Sequence, residues 1–199
     1  MNTYAEVIKH NCDSISPVLW WPKFAYHFTD VTHAASILSS GLLYSRNKAT
    51  ALGMMENENA SRQIIDITNP DVKTNARLYF RPETPTQFYN EGFKHKGLRY
   101  DDANIPVPIF LLFDLERLLS TPGVQFSEKT QAGQGSQKMS GIEAFKELNF
   151  KKIYSSGPFS DLDTTSYRQA EILYPDMLPI DDFIQVVLCR NSIYRRHLI

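Results

Sequence analysis

The stretch Ser166-Tyr167-Arg168-Gln169-Ala170-Glu171-Ile172-Leu173-Tyr174 sets the hardest condition this sequence places on its fold. Period-two alternation puts Arg168, Ala170, Ile172 and Tyr174 on one face of a strand and Gln169, Glu171 and Leu173 on the other. The strand therefore carries a carboxylate, Glu171, between Ala and Ile in a run that otherwise favours burial. A buried carboxylate is costly unless it is paired or put to use, because desolvation disfavours its charged form. An edge strand with Glu171 turned to water satisfies the same pattern. Both readings fit the strand taken alone.

At 199 residues the chain suits one domain, residues 1–199, with a substantial core; residues 1–23 read as an N-terminal helix and an extended lead-in. No repeat or linker divides it. Twelve Phe and ten Tyr favour β-structure and ring-stacking surfaces. A net charge of −1 argues against nucleic-acid binding over the whole surface but leaves a local basic groove open. Cys12 and Cys189 are far apart and no Cys/His spacing suits a metal, so neither a disulfide framework nor a metal site is expected. No apolar run approaches the ~18 residues of a membrane span, and the N-terminus lacks a signal-peptide pattern. The expected location is cytoplasmic.

Taken in order, Thr3-Tyr4-Ala5-Glu6 predicts a capped helix through His10, and Phe24 to Thr29 a first strand. Asp30 or Thr32 caps a helix that Gly41 closes, and Leu42-Leu43-Tyr44 continues as an apolar segment. Residues 45–76 are polar and read as a surface excursion with a short helix over Ala49 to Ser61. A strand Leu78-Tyr79-Phe80-Arg81 ends at Pro82, and Thr86 to Gly92 reads as an aromatic turn. The continuous apolar run Val107 to Phe113 predicts a buried central strand, followed by a helix capped by Asp114. Gln125 to Met139 reads as a mobile loop, Ser140-Gly141-Ile142-Glu143 as a second capping box, Lys152 to Ser155 as a strand and Gly157 to Tyr167 as a loop. Phe183 to Cys189 is the last strand. About six short strands and three or four short helices, without strict βαβ alternation, predict an α+β fold rather than a doubly wound sheet.

Walker, GxGxxG, GxSxG and HExxH motifs are all missing. Taken singly, the remaining polar residues have plain structural explanations: His27 as a hydrogen-bonded strand end, Arg81 as a strand cap, Lys94 to Arg99 as a charged loop. In combination they form a pattern. Tyr26-His27-Phe28-Thr29, Ile37-Leu38-x-x-Gly41-Leu42-Leu43, Leu78-Tyr79-Phe80-Arg81-Pro82-x-Thr84-Pro85 and Arg168-Gln169-Ala170-Glu171 occur in that order. From about Phe24 to Cys189 the chain resembles the DarT family, bacterial toxins that ADP-ribosylate DNA bases and are paired with a DarG-type or NADAR-type de-ADP-ribosylating antitoxin.

The resemblance implies an ADP-ribosyltransferase fold, a split pair of small β-sheets with NAD as co-substrate in the cleft between them. It implies that Glu171 is the catalytic glutamate, gripping the 2′-hydroxyl of the nicotinamide ribose. His27, Phe28 and Thr29 match the first-strand NAD contacts; Ser36, Tyr44 and Tyr79 fall around the dinucleotide. The family also uses an arginine between the glycine turn and the Tyr79 strand, for which Arg62 is the better match and Arg46 the second. Single-stranded DNA would meet Arg81, Thr84, Tyr89 and Gln169, with Tyr167, Tyr89 and Phe88 stacking an unpaired base and Lys94, Lys96 and Arg99 tracking phosphates.

Thymine and guanine are both known acceptors in the family. An RNA or protein acceptor keeps the same fold, and a non-catalytic NAD-binding module is the reading from another class. Transferases that modify protein arginine commonly carry an acid two positions before the glutamate; here that position is Gln169, which favours another acceptor.

Overall fold

The computed structural model describes residues 1–15, 20–55, 62–91, 95, 105–132, 136–157 and 161–189, with the backbone alone for 62–64. Helix α1 (Tyr4–Ser14) begins where Thr3 Oγ1 accepts the Glu6 amide at 3.2 Å and Glu6 in turn accepts the Asn2 amide, so the Thr-x-x-Glu box caps reciprocally. Strand β1 (Phe24–Asp30) runs straight into α2 (Val31–Ser40), because Asp30 Oδ1 accepts the Thr32 and His33 amides. Gly41, at φ +68°, ends that helix in the left-handed region that favours glycine. Strand β2 (Leu42–Tyr44), helices α3 (Arg46–Ala51) and α4 (Arg62–Ile67), strand β3 (Asn75–Tyr79) and helix α5 (Pro85–Asn90) follow. Next come β4 (Pro108–Asp114), α6 (Leu115–Leu119), β5 (Gln125–Ser127), α7 (Gly141–Lys146), α8 (Phe150–Ile153) and α9 (Leu162–Tyr167). Strands β6 (Glu171–Pro175), β7 (Met177–Pro179) and β8 (Ile184–Cys189) complete the described chain.

A six-stranded sheet has the order β5-β6-β3-β1-β4-β8, and β2 pairs with β7 in a two-stranded sheet. All of these pairings are antiparallel. Strand β1 pairs with β4 along its whole length, Phe24 with Asp114 through Asp30 with Pro108, but with β3 only at Tyr26 and Tyr79. The large sheet is therefore split between β1 and β3. This is the α+β class that the sequence pattern implied, with the split sheet that the DarT resemblance implied.

The run in β4 is continuous because both of its faces are covered. Leu111 and Phe113 enter the main core with Ala25, Leu78 and Phe80, while Phe110 and Leu112 join Tyr26 in a second cluster under Trp20, Phe24 and Phe28. Phe145 on α7 centres the main core, with the rings of Tyr4, Phe80, Phe126 and Phe150 between 5.1 and 6.1 Å away. No helix among the described residues is long and apolar enough to cross a membrane.

Several expectations are corrected. Lys152 to Ser155 is not a strand: α8 occupies Phe150–Ile153, burying Phe150 and Ile153. The Gly157 to Tyr167 segment contains helix α9, capped by Asp161, whose carboxylate accepts the Asp163 and Thr164 amides. Ser166 and Tyr167 therefore end a helix, and the strand begins only at Glu171. The aromatic turn is α5, started by Thr84 Oγ1 on the Gln87 amide and by Pro85 at a position where no amide is needed. Ser140 makes no side-chain cap. The Gln125 to Met139 segment supplies β5, held further by reciprocal Phe126–Met139 backbone bonds.

Candidate active site

The opening between β1 and β3, walled also by α2, β2, α3 and α5, forms a cleft open to solvent, with an enclosed volume of about 220 Å³. His27, Phe28, Thr29, Ser36, Tyr44, Tyr79 and Thr84, all expected at the site, line it, as does Arg46. Arg62 begins α4, but its side chain lies outside the described residues, as do Lys94, Lys96 and Arg99 entirely. Among the described residues no group of three His, Cys, Asp or Glu is placed to hold a metal ion.

Glu171 is 1% exposed, on the first residue of β6 between Tyr79 of β3 and Ser127 of β5. The edge-strand alternative is thereby excluded, since β6 has a neighbour on each side. Arg77 meets the carboxylate as a fork: Nε donates to Oε2 at 2.7 Å and Nη2 to Oε1 at 2.8 Å. The Gln131 amide adds a third donor to Oε1 at 3.0 Å. Paired, charge-assisted bonds of this kind are what make an ionised carboxylate tolerable in a dry setting. Sequence reasoning missed Arg77, although the signal was available. In Asn75-Ala76-Arg77-Leu78-Tyr79 the apolar Ala76 and Leu78 enter the core, which turns Asn75, Arg77 and Tyr79 together onto the cleft side. Beginning the strand at Leu78 left Arg77 out of that face.

His27 sits across the split. Its Nδ1 lies 3.0 Å from the Arg77 carbonyl oxygen, which can only accept, so Nδ1 carries the proton and donates. Burial disfavours the imidazolium and pushes the His27 pKa down to about 4, outweighing the opposing pull of that carbonyl. At neutral pH the ring is uncharged, with Nε2 an acceptor on the cleft wall. Burial and then the Glu171 charge raise the Tyr79 pKa, so its phenol stays protonated. The Tyr79 hydroxyl bonds to that of Thr86, which donates to Gln169 Oε1 at 2.9 Å. Gln169 thus ties the turn before Glu171 to α5 rather than lining the cleft.

Other expected substrate contacts fall elsewhere. Arg81 is 2% exposed, lies over the Trp21 ring at 4.8 Å and donates to the carbonyls of Pro82, Ile153 and Ser155. It is a buried strut outside the cleft, supplying donors to the Ile153 and Ser155 carbonyls at the end of α8 and to the neighbouring Pro82 carbonyl. The Tyr167 ring, expected to stack a base, lies under the ammonium groups of Lys129 at 4.4 Å and Lys152 at 4.7 Å, both of which also pair with Asp163. Tyr89 packs edge-on to Phe88 at 5.2 Å and does not line the cleft.

The family model described as DarT, ssDNA thymidine ADP-ribosyltransferase, matches residues 26–197. Among solved structures, Thermus sp. 2.9 DarT in complex with NAD+ is similar with a TM-score of 0.59 and 16% identity, over 79% of this chain and 77% of that one. The same protein in complex with ADP-ribosylated ssDNA gives a TM-score of 0.55 at 16% identity, over 79% and 77%. Thermosipho africanus DarTG in complex with ADP-ribose gives 0.66 at 13% identity, over 85% of this chain and 44% of that chain. No curated protein matches by sequence.

Proposed function

The chain belongs to the DarT family of ssDNA thymidine ADP-ribosyltransferases, and from that premise we propose that it transfers ADP-ribose from NAD to thymine in single-stranded DNA, with Glu171 as the catalytic carboxylate. The carrying observation is the buried Glu171 carboxylate beside Tyr79, with a neutral, oriented His27 across the split. The cleft suits a dinucleotide. Nε2 of His27 offers an acceptor to a ribose hydroxyl, Thr29 and Ser36 add polar groups, and Phe28, Tyr44 and Tyr79 supply aromatic walls.

Glu171 accepts the 2′-hydroxyl of the nicotinamide ribose. As the bond from C1″ to nicotinamide breaks, nicotinamide leaves with the bonding pair and positive charge builds on the ribose, where a nearby carboxylate is worth most in a water-poor site. A thymine ring nitrogen then bonds C1″ and gives up its proton to water. Fixing both partners before the bond breaks favours the base over water. Arg46, on the cleft wall, and Arg62 are the two candidates for the arginine near the phosphates and the base.

We further propose that the activity is toxic and is countered by a partner that removes the modification, a reading supported by family membership and by the fold likeness to a DarTG protein. The test is mass spectrometry of short single-stranded oligonucleotides of differing base content after incubation with protein and NAD. One ADP-ribose added only where thymine is present, and absent with Glu171→Ala, is expected. Adducts on guanine alone would move the acceptor; NAD consumption without a DNA adduct would shift it to RNA or protein; no NAD consumption would leave a binding module. Expression in bacteria should arrest growth, and Glu171→Ala should not.

A further inference from the structure

We infer that Arg77 is a positioning residue for Glu171, fixing the plane of its carboxylate for reaction; the inference rests on the reading of Glu171 as catalytic. The side chain of Arg77 is 26% exposed and lines the cleft, whereas that of Glu171 behind it is 1% exposed and does not. A substrate in the cleft therefore reaches the carboxylate past the guanidinium.

The terminal torsion of a glutamate is broad and roughly two-fold, so a carboxylate held by a point charge can rotate. The Arg77 fork removes that freedom by bonding one oxygen through Nε and the other through Nη2, with the Gln131 amide as a third donor. Arg77 also acts through its backbone: its carbonyl accepts from His27 Nδ1 and fixes which ring nitrogen faces the cleft. One residue thus sets the orientation of hydrogen-bonding groups on both sides of the split. Arg81 and Arg168 differ in kind, since their guanidiniums bond main-chain carbonyls away from the cleft. A purely structural ion pair would satisfy the buried charge equally well but would leave turnover alone once the protein is folded.

Single-turnover transfer to a thymine-containing oligonucleotide, with NAD affinity measured separately, decides between these. Arg77→Met, confirmed folded by its thermal transition, should lose about 100-fold in kcat, the scale of a small misplacement of reacting groups. Its affinity for NAD should change by no more than about threefold, the split expected when orientation rather than binding is lost. Arg77→Lys keeps the charge without the fork and should recover about tenfold of the loss. Combining Arg77→Met with Glu171→Gln should cost nothing beyond Glu171→Gln alone, because the two act as one unit. Wild-type kcat in folded Arg77→Met, or a loss confined to NAD affinity, overturns the inference. Should Arg77→Met not fold, unchanged kcat in Arg77→Lys overturns it equally. Wild-type kcat in Glu171→Gln would instead overturn the catalytic reading on which it rests.

Discussion

Burial makes the His27 ring enter the folded state neutral and holds its pKa at about 4 against an ordinary 6.5, outweighing the bond from Nδ1 to the Arg77 carbonyl, which favours the charged form. Between these values the unfolded chain binds a proton that the folded protein refuses. Stability is therefore undiminished above about pH 6.5 and falls as pH drops toward 4, below which this contribution is constant. The full loss is up to about 3 kcal/mol, reduced by solvent screening because the ring is only half-buried. His27→Gln keeps an amide donor for the carbonyl and removes the titration. Urea denaturation at pH 6.5 and 4.5 should show the wild type losing more stability than the variant. Parallel losses would mean that other groups carry the acid sensitivity.

The elements that local signals specify formed as the sequence indicated: α1 behind Thr3, α2 between Asp30 and Gly41, α6 behind Asp114, and β4 as a run buried on both faces. Failures came where the signal was short or ran across a boundary. Strands β5 and β7 have three residues each, too few for alternation to register. The period-two pattern of β6 was extended back through residues that α9 claims by way of its Asp161 cap. Glu171, His27 and the cleft lining were legible because each sits in a recognisable run, whereas the roles of Tyr167 and Arg81 depended on Lys129, Lys152 and the end of α8, distant in sequence. Arg81 yields a prediction at this scale. With Arg168 it supplies the donors for the Ile153, Ser155 and Gly157 carbonyls at and after the end of α8. Arg81→Ala leaves Pro82 and Ile153 carbonyls without this donor, and unsatisfied acceptors of that kind predict a loss of about 2–4 kcal/mol in chemical denaturation. NAD affinity of the folded variant should be unchanged, and a selective loss of NAD binding with full stability would return Arg81 to the site.

At the scale of the whole molecule, the split also removes ladder bonds between the two halves of the large sheet. Their strands pair in register only at Tyr26 and Tyr79 and are joined besides by the bond from His27 Nδ1 to the Arg77 carbonyl. Much of the cohesion must come from the core beneath, where Leu78 and Phe80 from one side and Ala25, Leu111 and Phe113 from the other share a single apolar cluster with Phe145. Phe145 is 0% exposed and contributes nothing to the cleft wall. Phe145→Ala should therefore cost about 3–5 kcal/mol, the range for emptying an aromatic site that cannot collapse. NAD, filling the opening from the other side, should stabilise the wild type by about 2.7 kcal/mol at a hundred times its Kd. If core and cleft hold the halves together independently, NAD should stabilise Phe145→Ala by the same increment, since distant sites without shared partners add. Denaturation of both proteins with and without NAD measures this directly. A markedly smaller increment in the variant would mean that the core sets the width of the split, so that packing around Phe145 controls access to Glu171 as well as stability.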